Sequence, residues 1–386
     1  MSADSFFHES LLGFLAPVRV FLDDSSVSEI MINGPFEVFV ERAGRLEKTA
    51  ARFASREALL AAVRNLSQYA GKVVSEDEPI LEGRLPDGSR IEAIFPPASH
   101  DGPHVSIRRF AKEKLTLERL VALGSLSPAA ALAISAYVTA KVNVLVAGGT
   151  GTGKTSLLNA LSGVIPAGER VIVIEDTREV QLQGQHVVCL EARPAGPKGR
   201  RAITMRELFR ASLRMRPDRV IVGEVRGGEA LEIVQAMTSG HGGCLGTLHA
   251  ATPRDALGRL ETMCMMSDVQ MPLAAMRSQI GSAIQVLLQV SRLDDGSRRV
   301  THVSEVGGYD LASSQYVVSD VFRRRYRSST GGIESELAPT GERSRFLDQL
   351  VEHGVELPPE LLGAAPGLRE TTPRTPGLPH PARRSS

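Results

Sequence analysis

VNVLVAGGTGTGKTSLLNALSG, running from Val142 to Gly163, is the stretch that decides the fold class of this 386-residue chain. Val142 to Ala147 is an apolar run of strand character, and Ser156 to Gly163 carries its leucines in a helical pattern. Between them, Gly148-x-x-x-x-Gly153-Lys154-Thr155 fits the phosphate-loop pattern in full, in the strand–loop–helix context that supports it. Glycines let backbone N–H groups curl around phosphate oxygens with no Cβ in the way, and the start of the next helix adds partial positive charge. ATP is therefore expected on Gly148, Gly149, Thr150, Gly151, Thr152, Gly153, Lys154, Thr155 and Ser156. Lys154 should reach the β and γ phosphates, and the Thr155 hydroxyl should ligate Mg2+. Gly149 and Gly151 do not make a dinucleotide fingerprint, because Lys-Thr follows where that motif needs other spacing.

Outward from this stretch, strands and helices alternate. A helix is expected over Pro128 to Thr139, strands over Val171 to Glu175 and Val187 to Glu191, a helix over Met205 to Leu213, and a strand over Arg219 to Val222. That alternation predicts an α/β fold with a mostly parallel sheet. Gln285 to Val306 reads as a hairpin turned at Asp295-Gly296. Upstream, Val27 to Asn33 and Glu37 to Glu41 read as strands joined at Asn33-Gly34-Pro35, with a further turn at Ala43-Gly44. A helix over Arg56 to Ala70, a turn at Pro86-Asp87-Gly88, and strands over Ile91 to Phe95 and Val105 to Phe110 complete a smaller α/β unit. The expected division is an N-terminal domain over 1–110, a linker over 111–126, the nucleotide domain over 127–362, and a disordered Pro-, Thr- and Arg-rich tail over 363–386. The charged stretch from Lys112 to Leu126 reads as linker and hinge.

Bulk properties narrow the function classes. A net charge of +1 supplies no global field toward nucleic acid or acidic lipid, and 4% aromatic residues with no Trp argue against a base-stacking platform. No nucleic-acid partner is expected. Three scattered cysteines and no C-x-x-C pair argue against a disulfide framework and against zinc. The first residues lack the basic region of a secretory signal, and no apolar run approaches the ~20 residues of a membrane span. A cytoplasmic protein, at most peripheral to a membrane, is expected.

A phosphate loop needs acids to place water and metal, and open α/β sheets put ligands at strand ends. Two sites qualify: Glu175-Asp176-Thr177-Arg178-Glu179 after the strand VIVI, and Glu224 after the strand RVIVG, on what the spacing suggests is a strand neighbouring that of the phosphate loop. Structural capping is the competing role for Asp176. Thr238 to Ala250 (TSGHGGCLGTLHA) carries His241 and His249 on a glycine-rich backbone free to approach a ligand, so both are candidate γ-phosphate sensors. A lone histidine is more often a structural hydrogen-bond partner.

With these residues assembled, the chain resembles the secretion ATPases of type II and type IV systems, and within them the CpaF/TadA-type ATPases of tight-adherence (Flp) pilus assembly. GGTGTGKT, IEDTREVQL, LRMRPDRVIVGEVRGGEA and TSGHGGCLGTLHA match in order the Walker A, aspartate, Walker B and histidine boxes. VSEIMINGP, GRLPDGSRIEAIFPP and VSIRRF match the same family upstream. The resemblance implies a RecA-like P-loop ATPase core with a smaller α/β N-terminal domain, assembled as a homohexamer that works on inner-membrane pilus or secretion platform proteins. It implies Glu179 as the base that orients water, with Glu175 and Asp176 in support, and Glu224 holding Mg2+ through water. It makes His241 and His249 sensors, and Arg84, Arg90, Arg108 and Arg109 candidate nucleotide contacts. The lack of paired C-x-x-C motifs favours the CpaF/TadA or VirB-like branch, and the phrases SEVGGYD and PTGERSRFLDQLVEHGVELP resemble the CpaF/TadA branch. The competing readings are a VirB-type type IV secretion ATPase, a RecA-like nucleic-acid motor, and a scaffold with a degenerate ATP site. The basic run Arg323 to Arg327 is read as a solvated strand end or, alternatively, a lipid or platform contact.

Overall fold

The computed structural model describes residues 13–42, 44–85, 87–109, 115–182, 186–196, 200–329 and 332–363. Ala43 and Pro86 of the two expected turns, Phe110, the first residues of the expected linker (111–114) and the tail from 364 onward lie outside the described residues.

The upstream residues form a six-stranded antiparallel sheet. Its strands are β1 (Val27–Asn33), β2 (Val38–Arg42), β3 (Arg45–Lys48), β4 (Ile80–Arg84), β5 (Arg90–Ile94) and β6 (His104–Arg108), in the spatial order β3-β2-β1-β6-β5-β4. Period-two alternation buries Ile30 and Ile32 of β1, Val38 and Val40 of β2, and Val105 and Ile107 of β6. Two helices, α1 (Ala16–Asp23) and α2 (Arg56–Tyr69), supply Val18, Leu22, Leu59, Val63 and Leu66 to that core. Ser55 caps α2 by accepting from the Ala58 N–H, which starts the helix where its apolar stripe begins.

The remaining chain builds one nine-stranded sheet. Its strands are β7 (Val144–Gly148), β8 (Val171–Glu175), β9 (Val187–Glu191), β10 (Arg219–Val222), β11 (Leu245–His249), β12 (Val286–Arg292), β13 (Arg298–Asp310), β14 (Gln315–Ser329) and β15 (Gly332–Pro339). They lie in the order β15-β14-β13-β12-β7-β11-β10-β8-β9, parallel from β12 through β9 and antiparallel from β12 to β15. Helices α3 (Leu117–Ala122), α4 (Pro128–Thr139) and α5 (Lys154–Ser162) come before β8, and α6 (Met205–Ser212), α7 (Glu229–Thr238), α8 (Pro253–Met265), α9 (Leu273–Ala283) and α10 (Leu347–Glu352) after it. Val144 and Val146 of β7 pack with α4 and α5, whereas Leu145 and Ala147 pack on the opposite face with α7, α8 and α9. Burial on both faces is why β7, β8 and β10 read as unbroken apolar runs rather than as alternating ones.

Three expectations need correction. The Lys112 to Leu126 stretch contains α3, capped by Thr116, which accepts from the Arg119 N–H. Leu117, Leu120 and Leu126 are buried, so this segment is part of the fold and not a bare tether. Glu224 does not follow a neighbour of the phosphate-loop strand, because β11 lies between β7 and β10. The basic run of Arg323 to Arg327 is interior to β14, and Arg324 is buried there, donating to the carbonyls of Val300, Gly124 and Ser125.

Candidate active site

Because β7, β8, β10 and β11 are parallel, Gly148, Glu175, Val222 and His249 all end at one edge of the sheet. The phosphate loop springs from β7 at that edge. A Cβ on Gly148 would stand 2.5 Å from the Val290 carbonyl oxygen and 2.6 Å from Thr152 Oγ1, so only glycine fits where the loop leaves the strand. Thr152 Oγ1 donates to the Gly149 carbonyl over 2.9 Å, closing the loop on itself. Gly153 caps α5 with no side chain on the first N–H groups, which leaves those donors for an anion.

Lys154 is buried and donates from Nζ to the Gly149 carbonyl at 2.9 Å, and both ring nitrogens of His249 lie 3.4 Å from it. Burial lowers its pKa, with Glu224 acting in the opposite direction. His249 Nε2 lies 2.7 Å from Glu224 Oε1. Burial also holds this imidazole below its usual range, again against the pull of Glu224. Burial alone would raise the Glu224 carboxyl. Arg226, 2.7 Å from Oε2, together with His249 and Lys154, outweighs it, and the group sits below the ordinary carboxylate range. Arg226 also reaches Asp176 Oδ2 at 2.7 Å, tying the two acid sites together.

The segment after β8 is organised by its first residue. Glu175 is fully buried, and Oε1 accepts the N–H groups of Glu179 and Val180 at 2.9 and 2.8 Å. Burial raises its pKa against those two bonds. The side chain of Glu175 is thus spent on the turn that aims Glu179, whose Oε2 stands 3.4 Å from Thr155 Oγ1. His241 departs from expectation. It precedes the start of β11 while His249 ends it, so a whole strand separates His241 from the phosphate loop, and its Nδ1 is buried without a hydrogen bond.

Across the cleft stands the six-stranded sheet. Arg84 pairs in register with Arg90, and Arg90 with Arg108, so three cations share one face of β4, β5 and β6. Like charges placed directly opposite one another cost stability unless carboxylates offset them. Arg90 and Arg108 lie 3.7 and 3.8 Å from Glu179 Oε1, and Arg84 pairs with Glu191 of β9 at 2.8 Å. Arg109 turns the other way and donates to the carbonyls of Asp24, just ahead of β1, and Val27, at its start. The cleft between arginines and phosphate loop has a volume of about 110 Å3 and is bordered by Arg90, Arg108, Thr155, Ser156 and Glu179.

Beside it opens an apolar pocket of about 290 Å3, walled by Leu115, Leu120, Leu123, Leu157, Val290 and Val300 and floored by Thr152 and Gly153. Sequence reasoning missed this pocket because the Leu117, Leu120 and Leu123 spacing sat inside a stretch read as linker. Its size and apolar walls suit a purine base next to a phosphate site.

Mg2+ can be tested against the residues present. Among the described residues no group of three His, Cys, Asp or Glu is arranged to cage a metal. Glu224 Oε1 is buried and takes no hydrogen bond despite its nearness to His249, which leaves an oxygen for a metal-bound water. One hydroxyl and one carboxylate near phosphate oxygens suit Mg2+, which keeps most of its waters.

Residues 14–328 match the family model described as type II/IV secretion system protein. The chain belongs to this family. Among curated members, a putative conjugal transfer protein of Mycobacterium tuberculosis is 35% identical over 298 residues, covering 76% of this chain and 83% of the relative. Conjugal transfer protein TrbB of Rhizobium radiobacter is 34% identical over 296 residues, 75% of this chain and 87% of its own. Type IV secretion system protein PtlH of Bordetella pertussis is 33% identical over 312 residues, 74% and 91% of the two chains. The X-ray structure of the Yersinia pseudotuberculosis ATPase DotB aligns with a TM-score of 0.54 at 16% identity, over 79% of each chain. The pilus retraction motor PilT with bound ADP aligns with a TM-score of 0.51 at 16% identity, over 89% of this chain and 86% of that one. At such identity the likeness is one of fold. The secretion family's architecture, a RecA-like core with an N-terminal α/β domain, is the architecture of this chain.

Proposed function

We propose that this family member hydrolyses ATP as a motor for export or pilus assembly. The observation that carries the reading is the pairing of Thr155 Oγ1 with Glu179 Oε2 at 3.4 Å, at the head of an uncapped helix and facing Arg90 and Arg108. On this reading, Gly148 to Ser156 bind the triphosphate, and Lys154 exchanges the Gly149 carbonyl for phosphate oxygens. Glu179, aimed by Glu175, orients the attacking water. Arg90 and Arg108 release Glu179 for the γ phosphate and offset the charge that builds on it. Thr155 and, through water, Glu224 would hold Mg2+, which would neutralise charge on the β and γ phosphates. His249, between Lys154 and Glu224, is placed to register loss of the γ phosphate; nothing in its position gives His241 that role. Glu175 and Arg109 are assigned positioning and structural roles, and Arg84 the rim of the cleft.

In the same reading residues 1–110 form the N-terminal domain and 127–362 the ATPase domain, and ATP closes one on the other. Subunits assemble as a cytoplasmic hexamer docked peripherally on inner-membrane platform proteins. The CpaF/TadA-like phrases support Flp/Tad pilus assembly. The names of the conjugal transfer relatives favour a second reading, a VirB-type type IV secretion ATPase. The test is phosphate release by the purified protein with ATP and Mg2+, with electron microscopy of the ATP-analogue complex for the ring. No release above that of Lys154→Ala would sink the motor reading.

A further inference from the structure

Arg298 touches both halves of the molecule. Its aliphatic stem lies on the phosphate loop, where a Cβ on Gly153 would stand 3.3 Å from Arg298 Cδ. Its guanidinium leaves the loop and meets the N-terminal sheet, with Nη2 3.6 Å from Glu41 Oε1. Arg292, at the end of β12, approaches the same oxygen to 3.8 Å and donates to the Gly44 carbonyl. Behind these side chains the turn after β2 abuts the turn after β12. Gly44 has φ +79°, and a Cβ there would stand 2.9 Å from the Gly296 carbonyl oxygen. The Glu41 side chain is 13% exposed, and its Oε1 takes no hydrogen bond although two guanidiniums lie within 4 Å. Gly44, Gly296 and Arg298 all border the apolar pocket beside the phosphate loop.

A buried carboxylate oxygen held just beyond hydrogen-bond reach of two cations gains from a small closing movement, because charge-assisted bonds form at about 2.7–2.9 Å. A nucleoside in the pocket would exclude water from the pair and strengthen their attraction. Binding and closure then favour each other.

We propose that Glu41 is a positioning residue for nucleotide binding: it draws Arg298 and Arg292 onto the N-terminal sheet and so closes the apolar pocket over the nucleoside part of ATP. Arg298 carries the pull to Gly153 of the phosphate loop. The inference rests on the nucleotide site proposed above and names the side chains that close it.

The test is equilibrium binding of a fluorescent ATP analogue with Mg2+, together with KM, kcat and thermal melting, on the full chain. Glu41→Gln, which keeps shape and removes charge, should weaken binding and raise KM about fivefold while kcat stays within about twofold. Arg298→Met should do the same, Arg298→Lys should recover most of the loss, and the double variant of Glu41→Gln with Arg298→Met should be no worse than either alone. Wild-type affinity in Glu41→Gln, or additive losses in the double variant, overturns the latch while leaving the nucleotide site standing. Failure of the wild-type protein to bind the analogue overturns both. Should Glu41→Gln fail to fold, the Arg298→Met and Arg298→Lys pair decides, with equal losses in both counting against the latch.

Discussion

The phosphate loop and the arginine wall face each other across one cleft, yet they are assembled in opposite ways. The loop is nine consecutive residues whose conformation is set locally, by glycine backbone freedom and by Thr152 donating to the Gly149 carbonyl three residues away. The wall draws Arg84, Arg90 and Arg108 from three strands, and only the register of β4 with β5 and of β5 with β6 brings them onto one face. Damage to the loop should therefore remove function outright. Damage to the wall should be graded, because neighbouring cations share the load.

The sharpest way to break this contrast is Lys154→Ala. Its Nζ is partnered by the Gly149 carbonyl and faces His249, so folding should survive while ATP turnover falls about 10²–10³-fold or more in a phosphate-release assay. Full turnover would remove the loop from the mechanism. Glu179→Gln should lower kcat by about 10²-fold or more and leave nucleotide binding intact, because orienting water is separate from gripping phosphate. Equal losses in KM and kcat would argue against that role. On the wall, Arg108→Ala and Arg90→Ala should each cost about tenfold in kcat, and the double variant far more. A single arginine as damaging as Lys154 would erase the distinction between loop and wall.

Arg109 sharpens the comparison from the other side. Its guanidinium serves the carbonyls of Asp24 and Val27, so Arg109→Ala should lower stability by about 1–3 kcal/mol in denaturant unfolding and leave kcat near wild type. Adjacent arginines with opposite phenotypes would show that strand alternation, not sequence proximity, assigns the roles. The smallest effect belongs to His249. Its folded pKa is depressed below the ordinary 6.5, mainly by burial. As pH falls below about 6.5 the unfolded chain takes up the proton more readily than the folded one, so stability drops until pH passes the folded value. His249→Gln should flatten that slope in melts compared at about pH 7.5 and about pH 5.5; an unchanged slope would assign it to another group.

Much of the core is legible in the sequence. Val171–Glu175 and Arg219–Val222 stand where their unbroken apolar runs put them, because strands buried on both faces leave an unambiguous signal, and the half-exposed edge strand Val187–Glu191 also stands where it was expected. The strand Leu245–His249 was hidden by its glycines and by histidines that looked like loop chemistry. Helix α3 was hidden by the charges around it, and with it the leucine wall of the apolar pocket.

What the sequence determined by itself is the local chemistry: a glycine loop ahead of a helix, strands that must be covered on both faces, and acids at strand ends. Each of these is set by residues within a few positions of one another. Only the tertiary structure decided the strand order that seats His249 beside Lys154 and keeps Glu224 one strand further off. It also turned Glu175 inward to aim Glu179, separated Arg108 from Arg109, and brought Glu41 to Arg298. The pairs Lys154–His249 and Glu41–Arg298 join residues tens to hundreds of positions apart, and like the inward turn of Glu175 and the parting of Arg108 from Arg109 they follow from sheet register and packing, which no short stretch of sequence encodes.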